Sequence, residues 1–328
     1  MAQSNGDSGL TLTFLGCGTM GIAILSGILD SLSSSNAPSL RGSPSGTSTP
    51  AQMEDLPPRL PTKFNACVRR PASAKRIRRE LASYNIPVTI YENDNVPAVE
   101  AADIVVLGCK PYMVGEILGP ESIRNALKGK LLLSICAGVP VDQIEDAIYP
   151  GKTHDQIIKD GGCTVVRVMP NTASKVRESM SVIASSSPPL EQSQTQVIEW
   201  IFTRIGRVVT LPPSNMDAAT ALCGSGPAFM ALVLEAIADG AVAMGLPRQE
   251  AQFMAAQTMR GTTGLVLDGE HPAILRDKVS TPGGCTIGGL LVLEEGRVRG
   301  TVARAVREAT VVASQLGKGV QGVNGTRF

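Results

Sequence analysis

The sequence of 328 residues predicts an α/β protein, in which an N-terminal domain built on a parallel sheet is followed by an all-α domain. Three observations carry this expectation: a glycine cluster directly behind a short apolar run, strand and helix patterns that alternate as far as Leu211, and a change to wholly helical patterning after Pro212-Pro213. A chain of this length exceeds the usual single domain, so two packed units are expected, each large enough to fold without metal or disulfide.

Residues 1–9 read as a flexible N-terminus. They carry Asp7 and no arginine, unlike a secretory signal or a transit peptide, so the expected compartment is the cytoplasm. Leu10 to Leu15 reads as the first strand, with a helix from about Met20 to Leu29. Between them stands Gly16-Cys17-Gly18-Thr19-Met20-Gly21, in the strand, turn, helix context of a Rossmann-type dinucleotide-binding domain. Gly16 permits the tight turn, Gly18 lets the backbone approach a pyrophosphate, and Gly21 lets the helix pack close to the strand. Free N–H groups at the helix start, at Thr19 and Met20, then hold the negative charge.

From Ser31 to Pro61 the sequence turns to Ser, Pro and Gly without apolar period, so an inserted surface loop is expected over 31–61. Order resumes with Phe64 to Val68 as the second strand, a basic helix from about Ser73 to Tyr84, and Val88 to Tyr91 as the third strand. A cofactor with a free ribose 2′-hydroxyl calls for an acidic residue after the second strand. This chain has Arg69-Arg70, which suits a 2′-phosphate and predicts NADP(H), NAD(H) remaining the alternative. Lys75, Arg76, Arg78 and Arg79 read as a solvated helix face.

Asp103 to Gly108, Leu131 to Ile135 and Val165 to Val168 are further short strands, and alternation with helices implies a parallel sheet covered on both faces. Met180 to Ala184 and Arg207 to Leu211, around a helix at Gln192 to Arg204, complete it. Residues following strand ends are the cofactor-side candidates: Asn93, then Cys109-Lys110-Pro111, Cys136-Ala137-Gly138 and Asn171 of Met169-Pro170-Asn171-Thr172. The dinucleotide-binding domain is thus expected over 10–213.

The helical domain, 214–328, has many small residues and wide apolar faces, which suggests burial against another subunit. Its run from Ala228 to Leu246 is long enough to span a bilayer, yet Glu235 and Asp239 would sit near the middle at prohibitive cost, so it reads as a buried helix and no membrane partner is expected. Two glycine loops, Cys223 to Pro227 and Val279 to Thr286, each precede a helical pattern and should present unpaired backbone donors suited to a carboxylate.

Composition excludes other classes. Lys and Arg number 30 against 29 Asp and Glu, and aromatics are 3%, so neither a basic field nor a stacking surface for nucleic acid exists. Seven cysteines without a Cys-x-x-Cys, and two histidines, argue for reduced thiols and no metal site.

The ordered series Phe14 to Gly21, Cys109-Lys110-Pro111, Met169 to Thr172, Gly224-Ser225-Gly226-Pro227-Ala228 and His271-Pro272 to Thr286 resembles the pyrroline-5-carboxylate reductase family, above all in Asp277-Lys278-Val279-Ser280-Thr281-Pro282-Gly283-Gly284-Cys285-Thr286. The resemblance implies reduction of the cyclic imine 1-pyrroline-5-carboxylate to L-proline, the last step of proline biosynthesis. It also implies that the helical domain makes a homodimer, with further assembly of dimers in many members. Val279, Thr281, Gly283, Gly284, Cys285 and Thr286 become the substrate-binding candidates, with Thr286 facing the ring nitrogen as a catalytic group. Glu270 is placed near the site, where its charge would favour the iminium form. Two departures stand out: the 31–61 insertion, and Cys285 where alanine is frequent. A β-hydroxyacid dehydrogenase would need a helix lysine after Gly224-Ser225-Gly226-Pro227, and none occurs before Lys278. A regulatory protein that binds NADP without turnover is the rival from another class.

Overall fold

The structure is a computed structural model that describes residues 9–34 and 56–317, together with 320, 323 and 325. The expected N-terminal tail and most of the 31–61 insertion lie outside the described residues. Eight strands form one sheet: β1 Leu10–Leu15, β2 Pro61–Val68, β3 Val88–Glu92, β4 Ile104–Leu107, β5 Leu131–Ser134, β6 Thr164–Met169, β7 Ser179–Ala184 and β8 Gly206–Leu211, in the order β3-β2-β1-β4-β5-β6-β7-β8.

Strands β1 to β6 run parallel, as expected. The last two correct that expectation: β7 lies antiparallel to β6, pairing Val168 with Ile183, and β8 follows β7 in parallel. Apolar pattern fixes which face a strand buries but not its direction; the signal for the reversal is the short link from Met169 to Ser179, with no room for the helical crossover a parallel neighbour needs.

The period of two sorts each central strand between two cores. On β1, Leu12 and Phe14 join Ile24, Ile28, Ile77, Trp200 and Phe202, under the helices Thr19–Ser34, Pro71–Glu80 and Gln192–Thr203. Leu15 joins Val99, Leu118, Ile144 and Leu107 on the opposite face. Between them, buried polar groups of β1 and β2 pair with each other: Thr13 Oγ1 donates to the Ala98 carbonyl at 2.9 Å and accepts from Asn65 Nδ2 at 3.0 Å.

The described residues divide into two compact units, 9–34, 56–224 and 310–317 in the first and 225–309 in the second. By compactness the segment 213–224 and the end of the last helix, Val298–Gly317, group with the sheet, whereas the sequence places a single boundary at 213/214.

The second unit is helical, through Gly226–Ala243, Arg248–Leu267, Pro272–Val279 and Cys285–Glu295. The segment Cys223 to Pro227 is not the loop the sequence suggested. A wide π-type helical turn, Thr220–Ser225, runs straight into the helix at Gly226, and Pro227 fits there because a first-turn residue needs no backbone donor.

The run Pro213–Ala243 is long and apolar enough to cross a bilayer by length and composition, at mean hydropathy 1.6. It overlaps Ala228 to Leu246, expected to be a buried helix. Within one chain it is exposed instead: between 225 and 309 only Ala238, Ala251 and Ala255 are buried, while Leu232, Ile237, Phe253, Leu291 and Val292 stand in solvent.

Candidate active site

Six parallel strands end on one edge of the sheet, and chain order reverses between β1 and β4, where open α/β sheets bind ligands. The glycine turn sits there. Gly16 adopts φ +82°, and a Cβ on it would lie 3.1 Å from the Cys109 backbone nitrogen, so only glycine fits between the ends of β1 and β4. A Cβ on Gly21 would approach Cys17 Sγ to 3.2 Å and Phe14 Cδ1 to 3.4 Å, which fixes how closely helix 19–34 packs on β1. In front of Gly18 nothing lies within 4 Å, leaving its backbone open to a ligand.

Hydrogen bonding decides which amides remain. Gly16 and Cys17 both donate to the Cys67 carbonyl, and Gly18 donates to Gly16 at 2.8 Å. The first bond of the helix ladder runs from Ile22 to Gly18 at 2.9 Å. The N–H groups of Thr19, Met20 and Gly21 thus open the helix without intrahelical partners. These residues fit a dinucleotide pyrophosphate. Cys17, buried beneath the turn, has its thiol pushed up to about 12 by burial and is inert.

Arg69 and Arg70 follow β2 and are exposed, with Pro71 opening the next helix. Asn93 stands beside them after β3, at φ +54°, its amide donating to the Val68 carbonyl at 3.0 Å. Arg76 was read as part of a solvated face, but its Nη1 donates to Thr19 Oγ1 at 3.2 Å and its Nε to Glu80 at 2.6 Å. It therefore brings a cation to the start of helix 19–34. The signal for it was present: helix 71–80 buries Ala74 and Ile77, and Arg76 lies at the border of that face.

The loops after β4 and β5 divide. Lys110, Pro111 and Ala137 are exposed at the sheet edge, and Cys109 is half-buried. Gly138 is buried, turning at φ +74° with its carbonyl 2.6 Å from the place a Cβ on Gly317 would take; it packs the end of the last helix. Asn171 is buried and its amide is engaged within the protein: Oδ1 accepts from Ala173 N and Nδ2 donates to the Cys223 carbonyl, each at 3.0 Å. Both residues were expected to line the cofactor; their contacts within the chain are with protein.

In the second unit Val279 ends helix 272–279, and Thr281 to Gly284 make a turn closed by the Gly284 N–H donating to the Thr281 carbonyl at 3.0 Å. Gly283 takes φ +68°, which a side chain would strain. Cys285 and Thr286 then open helix 285–295, so their amides have no partner within it. The Gly284 amide, expected to be a free donor, is used by the turn. Glu270 is bound by Lys278, whose Nζ donates to both carboxylate oxygens at 2.6 and 2.8 Å. Among the described residues no cluster of three or more His, Cys, Asp or Glu could hold a metal.

A glycine turn at the switch point of a parallel sheet, with cations where a ribose phosphate would lie, defines the class of dinucleotide-dependent oxidoreductases. Residues 213–316 match the family model described as pyrroline-5-carboxylate reductase dimerisation, and 49–138 match that described as NADP oxidoreductase coenzyme F420-dependent. The chain is 65% identical over 321 residues to a pyrroline-5-carboxylate reductase of Lophium arboricola, covering 98% of each, and 54% identical to that of Neurospora crassa, covering 99% of this chain and 98% of the relative. Its fold is similar to the NADP-bound crystal structure of Plasmodium falciparum pyrroline carboxylate reductase, at TM-score 0.71 and 25% identity, covering 95% of this chain and 100% of that one. The chain belongs to the pyrroline-5-carboxylate reductase family and is an oxidoreductase.

Proposed function

We propose that this chain reduces 1-pyrroline-5-carboxylate to L-proline with NADP(H), as the last step of proline biosynthesis. The observation that carries the reading is the Asp277 to Thr286 segment, which combines the signature sequence with a left-handed Gly283 and an open helix start at Cys285. Family membership supports it along nearly the whole chain. Loss of NADPH absorbance on adding pyrroline-5-carboxylate tests it; NADPH binding without turnover would leave a regulatory protein instead.

When bound, the dinucleotide supplies the hydride that saturates the imine carbon. The amides of Thr19, Met20 and Gly21 hold its pyrophosphate, Arg69, Arg70 and Arg76 its charge, and Asn93, Cys109, Lys110, Pro111 and Ala137 form the rest of the edge it lies on, whereas Cys136 is buried and does not reach it. In the second unit the amides of Gly283, Cys285 and Thr286 bind the substrate carboxylate, with Val279 and Thr281 shaping the loop. The Thr286 hydroxyl faces the ring nitrogen, accepts from its N–H in the protonated imine, and orients it. A protonated imine is already electrophilic, so positioning supplies most of the rate. Glu270 is paired with Lys278 at the end of helix 272–279, so its charge near the imine is shared with that cation.

The assembly we propose is a homodimer, capable of further association, through the exposed apolar faces of residues 225–309. An apolar patch of that extent, including Leu232, Phe253, Leu291 and Val292, is covered by a second copy in a family whose matching model is one of dimerisation. Glu235 and Asp239 argue against a bilayer as its cover. All seven cysteines are free, which fits a cytoplasmic location.

A further inference from the structure

Leu107 of β4 and Ser134 of β5 are register partners, and two residues beyond each strand end stand Cys109 and Cys136. Adjacent strands lie about 4.8 Å apart, within the span of roughly 4.4–6.8 Å that a disulfide bridges between Cα atoms. The two sulfurs are 3.8 Å apart, and Cys136 Sγ is also 3.4 Å from the Cys109 carbonyl oxygen. Cys109 is half-exposed and Cys136 is 2% exposed, so a small reagent reaches the pair through Cys109. The contact between them holds the Cys136 thiol below its ordinary range and pushes that of Cys109 above it, because one sulfur donates to the other. What equips the pair is its geometry: two sulfurs 3.8 Å apart at adjoining strand ends, one of them reachable. The proposed reduction uses neither sulfur for chemistry.

Cys109 also bounds the glycine turn. Its backbone nitrogen and Cα lie 3.1 and 3.2 Å from the place a Cβ on Gly16 would take, and the neighbouring Gly108 amide donates to the Leu15 carbonyl at 2.8 Å. Closing two sulfurs from 3.8 Å to the roughly 2.05 Å of a disulfide draws the Cys109 segment toward β5 and away from Gly16.

We propose that Cys109 and Cys136 are a reversible modification site, at which a peroxide converts the dithiol to an intramolecular disulfide that weakens dinucleotide binding. One thiolate attacks the peroxide O–O bond, hydroxide leaves and is protonated to water, and a sulfenic acid forms. The second thiol displaces its hydroxyl as a second water, closing the S–S bond. Two thiols are oxidised and one peroxide is reduced. A small dithiol reverses the step by exchange. Bond formation is independent of the proposed function, whereas the effect on binding rests on the reading that the dinucleotide lies on Gly16 to Gly21.

The test treats the reduced, full-length protein with hydrogen peroxide, removes the excess, and maps unreduced peptides by mass while measuring NADPH binding. The expected result is a Cys109–Cys136 linked peptide, lighter by two hydrogens, together with at least a several-fold rise in the NADPH dissociation constant that dithiothreitol reverses. NADP+ present during oxidation should slow linkage. Cys136→Ala protein should keep its own NADPH affinity after the same treatment. Oxidation confined to the exposed Cys285, with no such link, would overturn the site. A complete link with unchanged NADPH affinity would overturn its effect on binding, and reduced protein that binds no NADPH would instead overturn the placement of the dinucleotide.

Discussion

Arg76 Nη1 donates to Thr19 Oγ1 at 3.2 Å, joining the basic helix after β2 to the first residue of the helix that opens at the glycine turn. A cation so held stands against the partial positive end of helix 19–34, an arrangement that costs energy unless an anion occupies the same place.

Replacing Arg76 with alanine should therefore raise the NADPH KM by about ten-fold, the equivalent of one charge-assisted hydrogen bond of about 1.5 kcal/mol. Thermal stability should hardly change, since the exposed pair with Glu80 contributes under about 1 kcal/mol. Steady-state kinetics beside a melting curve separates the two effects. An unchanged KM would return Arg76 to solvent.

The paired substitution of Arg69 and Arg70 by alanine should lower the preference for NADPH over NADH by about ten-fold or more, because only the phosphorylated cofactor loses a charged partner. The ratio of kcat/KM for the two cofactors reads this directly. A ratio that stays put would remove the 2′-phosphate assignment.

Thr286→Val keeps the side-chain volume and deletes the hydroxyl. If that hydroxyl accepts from the protonated ring nitrogen, kcat/KM should fall roughly five- to 150-fold, the equivalent of about 1–3 kcal/mol. Turnover equal to the parent enzyme's would leave Thr286 a structural residue at the helix start.

Asn171→Ala should act on stability more than on cofactor affinity. It removes the acceptor of the Ala173 amide and the donor to the Cys223 carbonyl in a buried setting, a loss of about 1–3 kcal/mol. A lower denaturant midpoint with NADPH affinity held within a few-fold is the expected result. A large loss of affinity at unchanged stability would give the side chain back to the cofactor.

What the sequence made legible follows from what local physics determines. Leu10 to Leu15 coincides with β1 because alternation and a terminating glycine mark both ends. Strand β2 starts three residues before the expected Phe64, since Thr62 and Lys63 are exposed at the sheet's margin and carry no apolar signal. The Cys223 to Pro227 helix was missed because two glycines and a proline ordinarily mark a turn, and only tertiary packing shows that the proline meets no needed donor. Asn171 and Gly138 stand at strand ends, as the sequence indicated. Their partners, Cys223 and Gly317, are distant along the chain, and no spacing rule reaches them. The Cys109–Cys136 contact is of the same kind: it needs the register of β4 on β5.

The sparse burial of 225–309 bears finally on how the protein behaves in a tube. In the proposed homodimer, helices that cover only Ala238, Ala251 and Ala255 by themselves draw folding free energy from the second copy, and the native state then obeys mass action. Its melting temperature should climb with protein concentration, and Leu291→Asp, placed on an exposed apolar face, should shift sedimentation to the monomer and flatten that dependence. Activity measured at great dilution would then report how much of the chain has found a second copy, before it reports anything about the imine.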